Sequence, residues 1–177
     1  MRTVACTPNC GPYLEAGYRL FGYPVPKVDL TAWNRVEFVP KNWKTHRTIC
    51  CEPSGNIPFQ LAFDTYVKRM LRRKTRINLA TQLNNKEQAR QSSIDGSLAT
   101  VDLSMASDTV SMNAVIWLLP DDWVKYLFDT RSPLYSLNGE VAKYAKFSSM
   151  GNGTTFALET LLFASFLYAV GSKKGLA

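Results

Sequence analysis

The sequence predicts an α+β fold, and three observations carry that prediction. Arg35 to Val39 and Thr48 to Cys51 are short, β-tolerant stretches placed to pair across Pro40-Lys41-Asn42-Trp43-Lys44-Thr45, a basic and aromatic connection. Asn138-Gly139, between Leu134–Leu137 and Val141–Phe147, is the strongest short hairpin signal in the chain. Apolar residues then recur at helical spacing from about Pro58 to Arg73, where Phe59, Phe63, Val67, Met70 and Leu71 share a face, and fill Phe156 to Val170.

Composition bounds the function. At 177 residues and 46% hydrophobic content the chain is long enough for one sizeable core and is unlike a disordered segment. A net charge of +7 favours an anionic partner, nucleic acid or a membrane surface. Between Lys41 and Arg90, 11 Lys and Arg stand against Glu52, Asp64 and Glu87, so one segment carries the whole excess. Cys6, Cys10, Cys50 and Cys51 form no C-x-x-C pair and His46 is the only histidine, which argues against a zinc site and against a disulfide framework. No apolar run follows Met1 and Arg2, so no signal peptide and reduced cytosolic thiols are expected. Phe156 to Val170 is too short to span a bilayer comfortably and carries Glu159, so it is predicted to be a buried helix, with no membrane partner.

Taken in order, residues 1–34 hold Pro8, Pro12, Pro24, Pro26, Gly11, Gly17 and Gly22, which argues against any long regular element there. The helix ending near Arg73 carries Lys68, Arg69, Arg72, Arg73 and Lys74, read either as cations complementing a helix dipole or as a phosphate-tracking surface. Residues 75–97 are polar and poorly patterned. Leu98 to Leu103 is predicted to be a buried strand that delivers Asp102 to its end. From Ser107 a helix is expected, with Ser107 or Asp108 as N-cap and Val110, Ala114, Trp117 and Leu118 recurring on it. Pro120 ends that helix and suits the first turn of another, whose apolar residues are Trp123, Val124, Leu127 and Phe128.

After the hairpin comes Ser148-Ser149-Met150-Gly151-Asn152-Gly153-Thr154-Thr155, a small-residue loop opening into the apolar helix. It is read either as a plain turn or as a set of hydroxyls, an amide and backbone N–H groups suited to phosphate or ribose. The same choice holds for Asp102 and Asp108, which taken alone read more readily as a strand end and a helix cap than as a site.

Several blocks in one order narrow these choices. Val39-Pro40-Lys41-Asn42-x-Lys44-Thr45-x-Arg47, Glu52-Pro53, Ala99-Thr100-Val101-Asp102-Leu103-Ser104-x-Ala106-Ser107-Asp108, Arg131-Ser132-Pro133 and Ser148-Ser149-Met150-Gly151-Asn152-Gly153-x-Thr155-Phe156 resemble the RNA-directed RNA polymerases of single-stranded RNA bacteriophages, the levivirus replicases. The resemblance runs from about residue 35 to 170 and leaves the first 34 residues unplaced.

It implies a partial right-hand polymerase: a palm on an antiparallel sheet with helices, and part of the fingers. On that pattern, 35–97 is a fingers portion, 98–131 palm, 132–147 a fingers-type hairpin and 148–177 palm again. Asp102 falls on the family's first catalytic aspartate, a Mg²⁺ ligand, and Asp108 on the acid that helps read the ribose 2′-hydroxyl. Ser149, Gly151 and Asn152 match the loop that touches template and nucleotide sugar, and Lys41, Lys44 and Arg47 the basic motif along the triphosphate. Template and nascent RNA, NTPs, and host elongation factors Tu and Ts with a ribosomal protein are the implied partners, in the cytoplasm of the bacterial host. Phosphoryl transfer asks the protein for in-line positioning and charge neutralisation, with two metal ions about 3.5–4 Å apart.

The chain departs from the family pattern in one place: the Tyr-Gly-Asp-Asp hairpin that supplies the other carboxylates does not follow the apolar helix before Ala177. Asp121-Asp122 follows Pro120 at a helix start and is no substitute. A fragment that does not polymerise RNA by itself is therefore expected. Two other readings stand beside the polymerase: a non-catalytic basic RNA-binding module in which the basic helix, with Lys68, Arg69, Arg72 and Arg73, and the hairpin grip phosphates and Trp43 or Tyr66 stacks on bases, and a basic structural protein without ligand.

Overall fold

The structure, a computed structural model, describes residues 3–175. The outermost residues of the first and last sequence segments lie outside that range. β1 (Thr3–Cys6) and β2 (Lys27–Leu30) pair in parallel and are joined by α1 (Gly11–Leu20). The expectation of an irregular opening segment is thereby corrected. Pro12 sits in the first turn of α1, where a missing N–H breaks no helical bond. Gly55 admits β1 so closely that a Cβ there would stand 2.9 Å from the Ala5 carbonyl oxygen. Cys6, Cys10 and Leu14 form a small core with Val4, Val28 and Phe59 packed against it.

β3 (Trp33–Pro40) and β4 (His46–Cys51) pair antiparallel as expected, with Arg35 opposite Cys51 and Val39 opposite Arg47. β5 (Leu134–Leu137) and β6 (Glu140–Lys143) form the expected hairpin, although its second strand stops short of Phe147. Asn138 (φ 53°) and Gly139 (φ 88°) both adopt the left-handed conformation that a tight two-residue turn requires. β5 also pairs in parallel with β3, giving the strand order β4-β3-β5-β6. The two hairpins, both expected in the fingers, thus share one mixed sheet.

Between β4 and β5 run α2 (Ile57–Lys74), α3 (Leu83–Asp95), α4 (Met112–Leu118) and α5 (Asp121–Thr130), and α6 (Thr155–Lys173) follows the second hairpin. α2 buries its predicted face: Phe63, Val67 and Leu71 join Val115, Leu127, Phe147, Leu158 and Leu162 in the main core. Each such side chain contributes about 1.5–3 kcal/mol by leaving water. Phe63 meets Trp123 edge-on at 5.3 Å. Pro120 separates α4 from α5 as its chemistry predicts.

α3 was not expected. It buries no residue, so no apolar period marks it, and it ends at Gly96 in the left-handed conformation. α6 differs from its prediction too. Ala157, Leu158 and Leu162 are buried in its first half, while Phe166, Leu167, Tyr168 and Val170 beyond them are exposed. By length and composition α6 could cross a membrane, a test that core helices also pass.

Candidate functional site

Leu98 to Leu103 forms no strand, which corrects the expectation built on it. Its apolar residues are open to solvent, Val101 by 79%, and Asp102 is exposed among them. A strand needs a neighbour to take its N–H and C=O groups, and neither sheet extends to this segment. The expected cap is also displaced. Ser107–Thr109 is a single 3-10 turn, and α4 is capped by Ser111, whose Oγ accepts a 3.0 Å bond from the Ala114 N–H. On α4 it is Val115 that is buried, while Trp117 faces solvent.

Asp108 comes near Glu159 of α6. The Glu159 carboxyl is pushed up from its ordinary pKa, first by burial and then by the Asp108 charge. Among the described residues no group of three or more His, Cys, Asp or Glu side chains gathers as a metal site. A two-metal centre needs more than one carboxylate, so the residues described do not fit one.

Lys41, Lys44 and Arg47 lie together, all exposed, at the outer end of the β3–β4 hairpin. Arg69, Arg72 and Arg73 are exposed along the end of α2. Lys68 differs from them: its ammonium pairs with Asp64 at 2.7 Å and lies 5.5 Å from the Phe156 ring centre, so it serves the contact between α2 and α6.

The inner end of the same hairpin meets the Ser148–Thr155 loop. The Cys50 N–H donates to the Met150 carbonyl at 2.8 Å. Gly151, at φ 101°, sits where a Cβ would be 2.5 Å from the Cys50 carbonyl oxygen, so only glycine fits. Ser149 and Asn152 are buried beside it. The Asn152 Oδ1 accepts bonds from the Thr154 N–H (3.0 Å) and hydroxyl (2.6 Å), which shape the turn into α6.

At the centre of this junction lies a residue to which sequence reasoning gave no role, Glu52, only 8% exposed. Its Oε2 accepts from the Ser132 hydroxyl (2.8 Å) and N–H (3.2 Å), and its Oε1 from the Asn34 amide (3.0 Å) and, at 3.5 Å, the Asn152 amide. Asn34 in turn accepts from the Tyr144 hydroxyl at 2.8 Å. Burial pushes the Glu52 carboxyl above its ordinary pKa, with the Ser132 and Asn34 bonds and the Arg131 charge acting in the opposite direction. Arg131 is buried with its guanidinium 5.0 Å from the Tyr144 ring centre and 4.8 Å from that of Phe147. Desolvation lowers its pKa.

One signal pointed to Glu52. It is the only acid between Glu37 and Asp64, in a segment otherwise dominated by cations. The blocks Glu52-Pro53, Arg131-Ser132-Pro133 and Ser149 to Asn152, far apart in sequence, meet at its carboxylate. Gln60 adds a parallel tie, donating to the Thr130 carbonyl (2.8 Å) and accepting from the Gly153 N–H (2.9 Å). Chemically, the arrangement is a stiff buried joint that holds a basic hairpin at a fixed place relative to a glycine-containing loop at a helix start. It does not bring Asp102 into that joint.

Comparison with known proteins agrees with the resemblance seen in the sequence. The family model described as RNA replicase, beta-chain, matches residues 2–175. The chain is 42% identical over 167 residues to the RNA-directed RNA polymerase subunit beta of Escherichia virus Qbeta, covering 94% of this chain and 28% of that protein. It is 39% identical over 166 residues to the RNA-directed RNA polymerase beta chain of Enterobacteria phage GA, covering 90% and 30%. With the corresponding chain of Escherichia phage MS2 it shares 41% over 140 residues, covering 79% and 26%. It therefore spans under a third of the length of these curated relatives.

Proposed function

The chain belongs to the RNA replicase beta-chain family, and from that premise we propose that it supplies the nucleotide- and RNA-handling part of an RNA-directed RNA polymerase. The reaction is template-directed transfer of a nucleotide from an NTP to the 3′ end of RNA, replicating a viral genome. Lys41, Lys44 and Arg47 neutralise the triphosphate, and Ser149, Gly151 and Asn152 form the loop against the template and the nucleotide sugar. Asp108 reads the 2′-hydroxyl. Arg69, Arg72 and Arg73, with Lys68 behind them, track RNA phosphates.

The observation that carries this reading is the Glu52 joint, which fixes the basic hairpin against the Ser149–Asn152 loop. Phosphoryl transfer gains most from groups held in place before the reaction, and this joint holds two sets of them. In this reading the two hairpins and α2 belong to the fingers, while Asp102, Asp108 and α6 belong to the palm. Asp102 would be one magnesium ligand, its hard oxygens suiting that ion. One exposed carboxylate is too few for the chemistry, so the chain by itself is expected not to polymerise RNA. Elongation factors Tu and Ts and a ribosomal protein are the host partners of this reading, in the bacterial cytoplasm.

The test is a chimera in which this chain replaces the matching segment of the Qbeta subunit. RNA-templated incorporation that disappears with Asp102→Ala supports the proposal. A chimera that folds, binds template and incorporates nothing overturns it, and so does Asp102-dependent incorporation by the isolated chain for the inactivity expected of it. A second reading, a basic RNA-binding module without catalysis, is favoured by the exposed Arg69, Arg72 and Arg73 and by Asp102 belonging to no group of three or more His, Cys, Asp or Glu among the described residues. It predicts salt-sensitive RNA binding that Asp102→Ala leaves intact or strengthens.

A further inference from the structure

The tip of the β3–β4 hairpin displays an indole that packs against no core residue. Trp43 is 88% exposed, and every residue from Lys41 to Thr48 around it is exposed as well. The tip is nevertheless built stiffly. The Asn42 Oδ1 accepts from the Lys44 N–H (2.9 Å), the Thr45 N–H (2.9 Å) and the Thr45 hydroxyl (3.0 Å). Across the turn the Lys41 N–H donates to the Thr45 carbonyl at 2.9 Å. Side-chain and backbone bonds therefore fix the turn that carries Trp43, so little order is lost when a partner lands on it.

Charge decides which partner that is. Lys41, Lys44 and Arg47 surround the indole, with the Lys44 ammonium 4.6 Å from its ring centre. The nearest acid in sequence, Glu37, is engaged by Arg35 at 2.5 Å. Interfaces between proteins are depleted in lysine at their centres, whereas single-stranded nucleic acid asks for an aromatic face ringed by cations. A duplex hides its base faces in the stack and offers only phosphates to such a tip.

We propose that Trp43 is a base-stacking platform for single-stranded RNA, set in a field of positive charge from Lys41, Lys44 and Arg47 that draws RNA phosphates as it draws the triphosphate. This rests on the RNA reading above and adds to it a residue that discriminates unpaired from paired RNA. Trp43 occupies an unmatched position within the basic block, so neither the family pattern nor the triphosphate role of its neighbours assigns it one.

The experiment measures binding of the full chain to a 12-nucleotide oligoadenylate and to a blunt 12-base-pair RNA duplex across a salt series. Trp43→Ala is expected to weaken single-strand binding about 5- to 100-fold, with Trp43→Phe retaining most of it and duplex binding unchanged. Lys41→Gln with Arg47→Gln should weaken both RNAs and flatten the salt slope. Because Trp43 packs against no core residue, the circular dichroism of Trp43→Ala should match the parent. Single-strand binding by Trp43→Ala equal to the parent overturns the platform, the outcome expected if the indole docks a protein. Equal weakening of both RNAs also overturns it. In either case a salt slope that still responds to the Lys41 and Arg47 changes leaves the RNA reading standing, whereas binding to neither RNA removes both.

Discussion

Two regions carry blocks of the same family pattern and behave oppositely. The Glu52 joint gathers donors from Asn34, Ser132 and Asn152 around one buried carboxylate. The Leu98–Leu103 segment, just as apolar and β-tolerant as a strand should be, lies unpaired with Asp102 exposed on it. The difference is the presence of partners. Glu52 finds donors in three other segments of the chain, and a strand-like stretch without a neighbouring strand has no ladder to join. Local pattern is a licence for structure, and tertiary contact exercises it.

Amide hydrogen exchange tests that contrast most sharply. Amides of Val101 to Leu103 should exchange within about tenfold of unstructured-peptide rates, while the Cys50 amide, bonded to the Met150 carbonyl, should be slowed by about 10³-fold or more. Comparable protection in both places would erase the distinction. Substitution gives the energetic version. Glu52→Ala strands the Asn34 amide and the Ser132 N–H and hydroxyl, and should lower unfolding free energy by about 2–4 kcal/mol in urea titrations. Asp102→Ala should change it by no more than about 0.5 kcal/mol. A large loss at Asp102 would mean that the segment is packed after all.

Glycines sharpen the comparison at smaller amplitude. Gly151→Ala combines a left-handed φ with a Cβ 2.5 Å from the Cys50 carbonyl oxygen, and should destabilise by about 2–3 kcal/mol. Gly96→Ala meets open space at φ 67° and should cost only about 1 kcal/mol. Equal effects would show that the loop can shift away from β4, and the joint would then be less stiff than its hydrogen bonds imply.

These contrasts also mark what could be read without coordinates. The β3–β4 pair, the Asn138-Gly139 turn, the α2 face and the break at Pro120 all rest on neighbours in sequence, where propensity and turn chemistry act directly. The parallel β1–β2 pair was hidden because its room comes from Gly55, some fifty residues away, and because Pro12 reads as a breaker until it is placed in a first turn. α3 was hidden because a helix that buries nothing has no apolar period. The site divided along the same line. The basic hairpin and the glycine-containing loop were legible as blocks, but their meeting was not, since no local rule says that Ser132 and Asn152 will find Glu52 across 80 and 100 residues.

The pH response of the joint is the smallest of these effects and the most specific. Burial raises the Glu52 pKa in the folded chain above its ordinary value of 4.5, so the folded state holds that proton more tightly than the unfolded state does. Stability from this group is therefore full below pH 4.5 and declines as pH rises through the raised folded value, because the charged carboxylate is the form that burial penalises. Glu52→Gln should remove this component, leaving a flatter stability profile above pH 4.5 in urea midpoints measured at constant ionic strength. It should also lower stability overall, since an amide nitrogen turned toward Ser132 or Asn34 faces donors with a donor. A Glu52→Gln profile parallel to the parent would place the proton elsewhere, and would mean that the Ser132 and Asn34 bonds fully offset the burial of the charge.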